Sequence, residues 1–188
     1  MKVLQVCTGQ ARKVAINGRT VLSAIGKHAV AGPVAVRPLG LEADEQADLS
    51  RHGGLSKAVY AYPSEHLPFW QTVRAQAQAG LFDEPIQPGL MGENLLLQGL
   101  SEERLWIGDR LRLPNALLAV SEPRTPCYKL GAALGFPQAV TLMAQSGYCG
   151  AYLSVVESGT VEAGDEIELL PGPREVNLRE LFRRRVRG

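Results

Sequence analysis

Short runs in which apolar and charged residues alternate, each closed by Gly, Pro or Asp, dominate the chain. Val3-Leu4-Gln5-Val6 opens it, and Thr20-Val21-Leu22-Ser23-Ala24-Ile25 follows an Asn17-Gly18 pair of the kind that turns a hairpin. Two segments echo each other, Gly108-Asp109-Arg110-Leu111-Arg112-Leu113 and Gly164-Asp165-Glu166-Ile167-Glu168-Leu169. In each, a Gly-Asp turn leads into Leu or Ile alternating with charge, the period of a strand with one buried face. Leu117-Leu118-Ala119-Val120 is placed to pair back on the first through the turn at Pro114-Asn115, and Tyr152-Leu153-Ser154-Val155-Val156 forms a further strand. So many short strands predict a barrel or a sandwich.

Helical signals are fewer. Ser64-Glu65 reads as a helix start that runs on through the Ala/Gln-rich stretch to Gly80, with Pro68 marking where the regular helix begins. Ser101-Glu102-Glu103 predicts one helical turn, and Phe136–Ser146 a second helix with Pro137 early and Gly147 past its end. Val176, Leu178, Leu181, Phe182 and Val186 give a last, amphipathic pattern. The chain therefore reads as mostly β with a few peripheral helices: a strand-built domain over residues 1–170 and an Arg-rich tail over 171–188.

Composition sharpens this picture in two ways. The 20 glycines and 12 prolines far exceed the 11 aromatic residues, which implies many turns and a core of small aliphatic side chains. The net charge of +1 hides an asymmetry, because residues 174–187 hold six arginines against two glutamates and the rest is slightly acidic. That balance excludes a nucleic-acid coat made by the whole chain; a basic tail is more often a solvated helix face or an interaction tail. No stretch nears the ~18 apolar residues that a bilayer requires. Three scattered cysteines, Cys7, Cys127 and Cys149, make neither a disulfide framework nor a zinc pair, so a reducing cytoplasm is expected.

Candidate chemistry falls into three clusters. Ser121-Glu122-Pro123-Arg124-Thr125-Pro126-Cys127-Tyr128-Lys129-Leu130 is expected as a loop leaving a strand end. Two prolines restrict the direction of Cys127, and Arg124 and Lys129 are cations that favour its thiolate if they lie beside it. The plain alternative is a small apolar residue in a tight loop. Arg51-His52-Gly53-Gly54 permits backbone N–H groups to approach an anion, and His52 has the chemistry to donate to phosphate, transfer a proton or cap a turn. Asp44, just upstream, is a second candidate proton donor or an ordinary solvated acid. Gly92-Glu93-Asn94-Leu95 offers hydrogen-bonding groups at the start of an apolar strand, or simply a bulge. His28 and His66 read as ordinary, and no phosphate loop or dinucleotide fingerprint is present.

Taken in order, Leu41-Glu42-Ala43-Asp44-Glu45-Gln46-Ala47, His52-Gly53-Gly54, Tyr62-Pro63-Ser64-Glu65-His66, Gly92-Glu93-Asn94-Leu95 and Pro123–Leu130 resemble the MOSC family, named for the C-terminal domain of molybdenum cofactor sulfurase. The branch most similar is that of the bacterial 6-N-hydroxylaminopurine resistance proteins, over roughly residues 1–170. The resemblance implies a MOSC-type β-barrel and a molybdenum cofactor (molybdenum held by a molybdopterin), with Cys127 as the protein ligand to the metal. Motif and chemistry together extend the cofactor contacts to Arg124, His52, Gly53, Gly54 and Asn94, and the catalytic set to Cys127, His52 and Asp44. The implied activity is a molybdenum-dependent reduction of N-hydroxylated bases and related compounds. Its implied partners are a small-molecule N-hydroxylated substrate and a separate electron-donating reductase. A homodimer is possible, no membrane is implied, and nucleic acid is not expected. Other readings are a cofactor carrier without turnover and a sulfur carrier with a persulfide on Cys127. The chain departs from the resemblance twice: Ala43 stands where Gly is common, and only about one short helix is expected after Leu170, where the branch usually carries a helical C-terminal domain.

Overall fold

The computed structural model describes residues 1–47 and 53–187. Thirteen strands are described: β1 (Lys2–Thr8), β2 (Arg12–Ile16), β3 (Arg19–Ser23), β4 (His28–Val30), β5 (Val34–Arg37), β6 (Gly40–Leu41), β7 (Val59–Pro63), β8 (Leu95–Gln98), β9 (Arg110–Arg112), β10 (Leu117–Pro123), β11 (Ala151–Glu157), β12 (Gly159–Val161) and β13 (Glu168–Leu170). Four helices accompany them: α1 (Leu67–Gln76), α2 (Tyr128–Leu134), α3 (Ala139–Ser146) and α4 (Leu178–Arg187). The fold is mostly β with a few short helices, as the strand pattern implies.

Eight strands form one sheet in the order β13-β9-β10-β11-β7-β8-β1-β4, antiparallel except for the β7–β8 pair. The sheet curls until β1 meets the run-in to β13. Val3 N–H donates to the Asp165 carbonyl at 2.9 Å, Gly164 N–H to the Val3 carbonyl at 2.8 Å, and Ile167 N–H to the Met1 carbonyl at 2.8 Å. The two Gly-Asp strands that echo each other in sequence become neighbours, with Leu169 opposite Leu111. The β2–β3 hairpin stands apart as its own ribbon; Asn17 at φ 51 and Gly18 at φ 73 make the predicted turn.

Strand β7, Val59-Tyr60-Ala61-Tyr62-Pro63, is buried along its whole length and divides the interior in two. Its side chains alternate between faces. Val59 and Ala61 join the aliphatic barrel core with Val3, Leu95, Leu118 and Leu153. Tyr60 and Tyr62 face the other way, into an aromatic-rich core with Trp70, Leu130, Met143, Tyr152 and Phe182, which the helices cover. The functional chemistry lies at the edge of this second core.

Local differences from the sequence reading have physical causes. Ser101-Glu102-Glu103 is a turn rather than a helical turn: Arg104 N–H reaches the Ser101 carbonyl at 3.0 Å, and Glu102 is buried. Its carboxylate meets His66 Nε2 at 2.9 Å and accepts from Gly150 N–H at 2.9 Å, tying three loops together. His66, read as ordinary, is thus half of a clasp, stacked on Tyr148 at 3.8 Å between ring centres. The expected long loop around Cys127 is shorter than anticipated, since Ser121–Pro123 continue β10 and Tyr128–Leu134 form α2. Leu130 and Leu134, four residues apart, give α2 its buried face.

Candidate functional site

Arg124, Thr125, Pro126 and Cys127 bridge the end of β10 to the start of α2. Pro123 still pairs with Ala151 across the sheet, so the bridge leaves from a fixed strand end. Cys127 is half-buried, whereas Cys7 and Cys149 are buried. Burial, with the Glu93 charge adding to it, pushes the Cys7 thiol up to about 12, and burial pushes Cys149 well above its ordinary value. Neither is suited to act as a thiolate near neutral pH.

Cys127 opens into a cleft of about 610 Å³, counted out to solvent. One wall is the end of the β2–β3 hairpin with Ser23, Ala24 and Ile25, and the floor carries Tyr60, Met91 and Tyr152. Four cations line it: Lys27, Lys57, Arg124 and Lys129. Lys129 donates to the Leu22 carbonyl at 2.8 Å, which links α2 to the hairpin. Lys27 is ion-paired with Asp44, and both side chains are almost completely buried.

Asp44 is a hub of accepted hydrogen bonds. Besides Lys27, it accepts from Gly9 N–H at 2.9 Å and from Asn94 Nδ2 at 2.9 Å. Such an arrangement fixes the Lys27 ammonium in the cleft wall, so the structure shows Asp44 as an acceptor that positions a cation. Asn94 is equally committed. Its Nδ2 also donates to the Cys7 carbonyl at 3.2 Å, and its Oδ1 accepts from Tyr60 N–H at 3.0 Å. Asn94 therefore knits β1, β7 and Asp44 together, and lines the cleft with an amide already engaged.

Arg124 is the most informative side chain. It is 4 % exposed, its guanidinium lies 5.3 Å from the Tyr60 ring centre, and its Nη1 approaches the Met143 sulfur at 3.4 Å. Burial works against its charge, but Tyr60, Tyr152 and Cys127 act the other way, and its pKa is raised. Among the described residues no carboxylate lies within ion-pair distance of it. A buried cation without a counter-charge is costly, so a cleft that holds one is suited to an anion. Behind it sits Glu93, fully buried, with Oε1 accepting from Gly89 N–H at 2.6 Å and Oε2 without a hydrogen-bond partner among the described residues. Desolvation raises the Glu93 carboxyl to about 7, against the pull of its backbone hydrogen bonds and of Arg124.

The structure thus brings Cys127, Arg124, Asp44 and Asn94 to one cleft. Gly53 and Gly54 are not part of its described lining; at φ 153 and φ 80 they shape the turn into the short 3₁₀ segment Leu55–Lys57, which delivers Lys57. His52 lies outside the described residues. Sequence reasoning missed Lys27, Lys57, Tyr60 and Tyr152. Single lysines and a strand with no polar alternation give no local signal, although Lys57 follows the two glycines closely.

The MOSC domain model matches residues 48–168, well over half of the chain. The chain belongs to the MOSC domain family. Its curated relatives include YiiM of Escherichia coli, 39 % identical over 84 % of this chain and 68 % of that one. A protein of Gibberella moniliformis named as a reductase is 37 % identical over 91 % of the chain, which spans only 29 % of that larger protein. Among solved structures, YiiM from Geobacillus stearothermophilus superposes with a TM-score of 0.77 at 30 % identity, covering 98 % of this chain and 83 % of that one. The expected barrel and its peripheral helices are therefore the MOSC arrangement. Among the described residues of this MOSC domain, no helix is long and apolar enough to cross a membrane, and no three His, Cys, Asp or Glu side chains group as a metal cage.

Proposed function

We propose that the cleft binds a pterin-linked molybdenum cofactor through Cys127, and that the loaded protein reduces N-hydroxylated bases and related compounds with electrons from a separate reductase. The observation that carries the reading is Arg124, a buried guanidinium with no carboxylate partner among the described residues, beside the half-buried thiol of Cys127. The donor set fits such a group. A soft thiolate suits molybdenum, a cation cluster suits a phosphate, and a metal carried in by an organic ligand needs no protein cage. The relatives support an oxidoreductase in one respect, the fungal protein's name.

When bound, the cofactor supplies the two-electron chemistry that cleaves an N–O bond, with water leaving after protonation. The chain's own residues do the rest. Cys127 would hold the metal through its thiolate, and Arg124 would neutralise an anionic part of the ligand. Lys27, locked by Asp44, keeps a second positive charge in the wall. Tyr60, Met91 and Tyr152 line the cleft with apolar and aromatic groups against which a planar base would pack. A cleft group would supply the proton for the departing oxygen, and Lys57 Nζ is the described one to test.

The test is to purify the full chain from a host that makes molybdopterin and to measure bound molybdenum and pterin. Reduction of 6-N-hydroxylaminopurine with a chemical electron donor is then assayed. Wild type is expected to retain metal and turn over, and Cys127→Ser to lose at least about tenfold of its metal. Equal metal in the two proteins would sink the thiolate ligand. Bound cofactor with no turnover would point to a carrier.

A further inference from the structure

The arginine-rich tail is a sequence feature that the cleft does not absorb. In the structure it forms α4, capped by Asn177, whose Oδ1 accepts from Arg179 N–H at 3.0 Å and Glu180 N–H at 3.2 Å. Leu178 and Phe182 are buried, so the helix is docked. Arg185 lies three residues beyond Phe182, on nearly the same face, and reaches strand β10. There its Nη1 meets Glu122 Oε2 at 2.6 Å.

Glu122 has other partners. Ser56 Oγ donates to its Oε1 at 3.3 Å, and the Lys57 ammonium stands 3.8 Å from the same Oε2 that Arg185 holds. Lys57 lines the cleft, and its Nζ lies 5.9 Å from the Tyr152 ring centre. One carboxylate oxygen is therefore shared unequally between two cations, the nearer from α4 and the farther from the cleft. The side chain of Glu122 is only 15 % exposed, so water screens this competition incompletely.

We infer that Arg185 is a positioning residue for the cleft: by holding Glu122, α4 keeps Lys57 turned to an anionic ligand. Without Arg185 the Glu122 carboxylate draws Lys57 in, and the cleft loses positive charge where an anion would enter. The inference deepens the cofactor reading by assigning the tail a task at that site, while the link among Arg185, Glu122 and Lys57 concerns the chain's own residues only.

The test uses the full chain from a host that makes no molybdopterin, with two readouts. One is the rate at which an amine-acylating reagent modifies Lys57, followed by peptide mass spectrometry. The other is the affinity for inorganic phosphate by calorimetry at low salt. Arg185→Gln is expected to slow Lys57 acylation and to weaken phosphate binding, each by about fivefold, the scale of a partly exposed ion pair. Arg185→Lys stays near wild type, and the Glu122→Gln/Arg185→Gln double variant recovers both readouts; circular dichroism checks that each variant is folded. Unchanged Lys57 reactivity in Arg185→Gln overturns the inference even if phosphate binds less well, because net charge alone then explains the loss. Failure of the double variant to recover overturns it too. If wild type binds no phosphate while Lys57 reactivity falls in Arg185→Gln and recovers in the double variant, the Arg185 link stands and the anion-site reading fails.

Discussion

Ala43 occupies the left-handed region at φ 61, one residue before Asp44, in a turn that Asp44 N–H closes onto the Leu41 carbonyl at 3.2 Å. A Cβ in that conformation costs roughly 1–2 kcal/mol, and glycine removes it at some cost in unfolded-chain entropy. Ala43→Gly is expected to raise the unfolding free energy by about 1 kcal/mol in urea titrations. A variant no more stable than wild type would show that the turn relaxes around alanine without strain. The departure at Ala43 was legible because the surrounding motif names its place. Cys127 was legible for the same reason, held between prolines and cations. Lys27 was not, because its partner Asp44 lies on another segment and only folding joins them.

Among the elements, several short strands with one wet face announced themselves, whereas β4 and β5, with only three and four residues, did not. Arg110, Leu111 and Arg112 alternate between outside and core, as their sequence does. Strand β7 did not, because both its faces are covered and its alternation is between small aliphatics and tyrosines. Helix α2 was hidden by its brevity, by Gly131 in its middle and by the proline-bound stretch before it. Helix α4 was readable from its apolar spacing, and the structure shows which positions matter: Phe182 is 0 % exposed, and Arg183 lies outside. Phe182→Ala is expected to cost about 3–5 kcal/mol, and Arg183→Ala to stay within about 0.5 kcal/mol, both by chemical denaturation. A loss below 1 kcal/mol for Phe182→Ala would contradict a docked helix.

At the scale of the whole molecule, Glu93 makes stability depend on pH in an unusual direction. Its carboxyl titrates at about 7 in the folded chain against an ordinary value of 4.5. Below the lower value both states hold the proton, and Glu93 contributes nothing. Between the two, the folded chain keeps a proton that the unfolded chain has released, so stability falls as pH rises, by at most about 3 kcal/mol at pH 7. Glu93→Gln keeps an acceptor for Gly89 N–H and is expected to flatten this fall in denaturation series between pH 4.5 and 7. A slope equal to wild type would assign the effect to other groups. Nothing in the sequence signals the burial of Glu93, since an acid at the start of an apolar strand reads equally well as a bulge.

The seam that shuts the barrel also bears on how the protein is made. Met1 donates its terminal amine to the Ile167 carbonyl, 166 positions away in the chain, and the Val3 and Asp165 backbones join beside it. On a ribosome adding about 5–20 residues per second, β1 waits on the order of ten to thirty seconds for that partner to be synthesised. During that interval the Val3 N–H and C=O lack the partners that close the barrel, so this edge of β1 is left open to pairing with another strand.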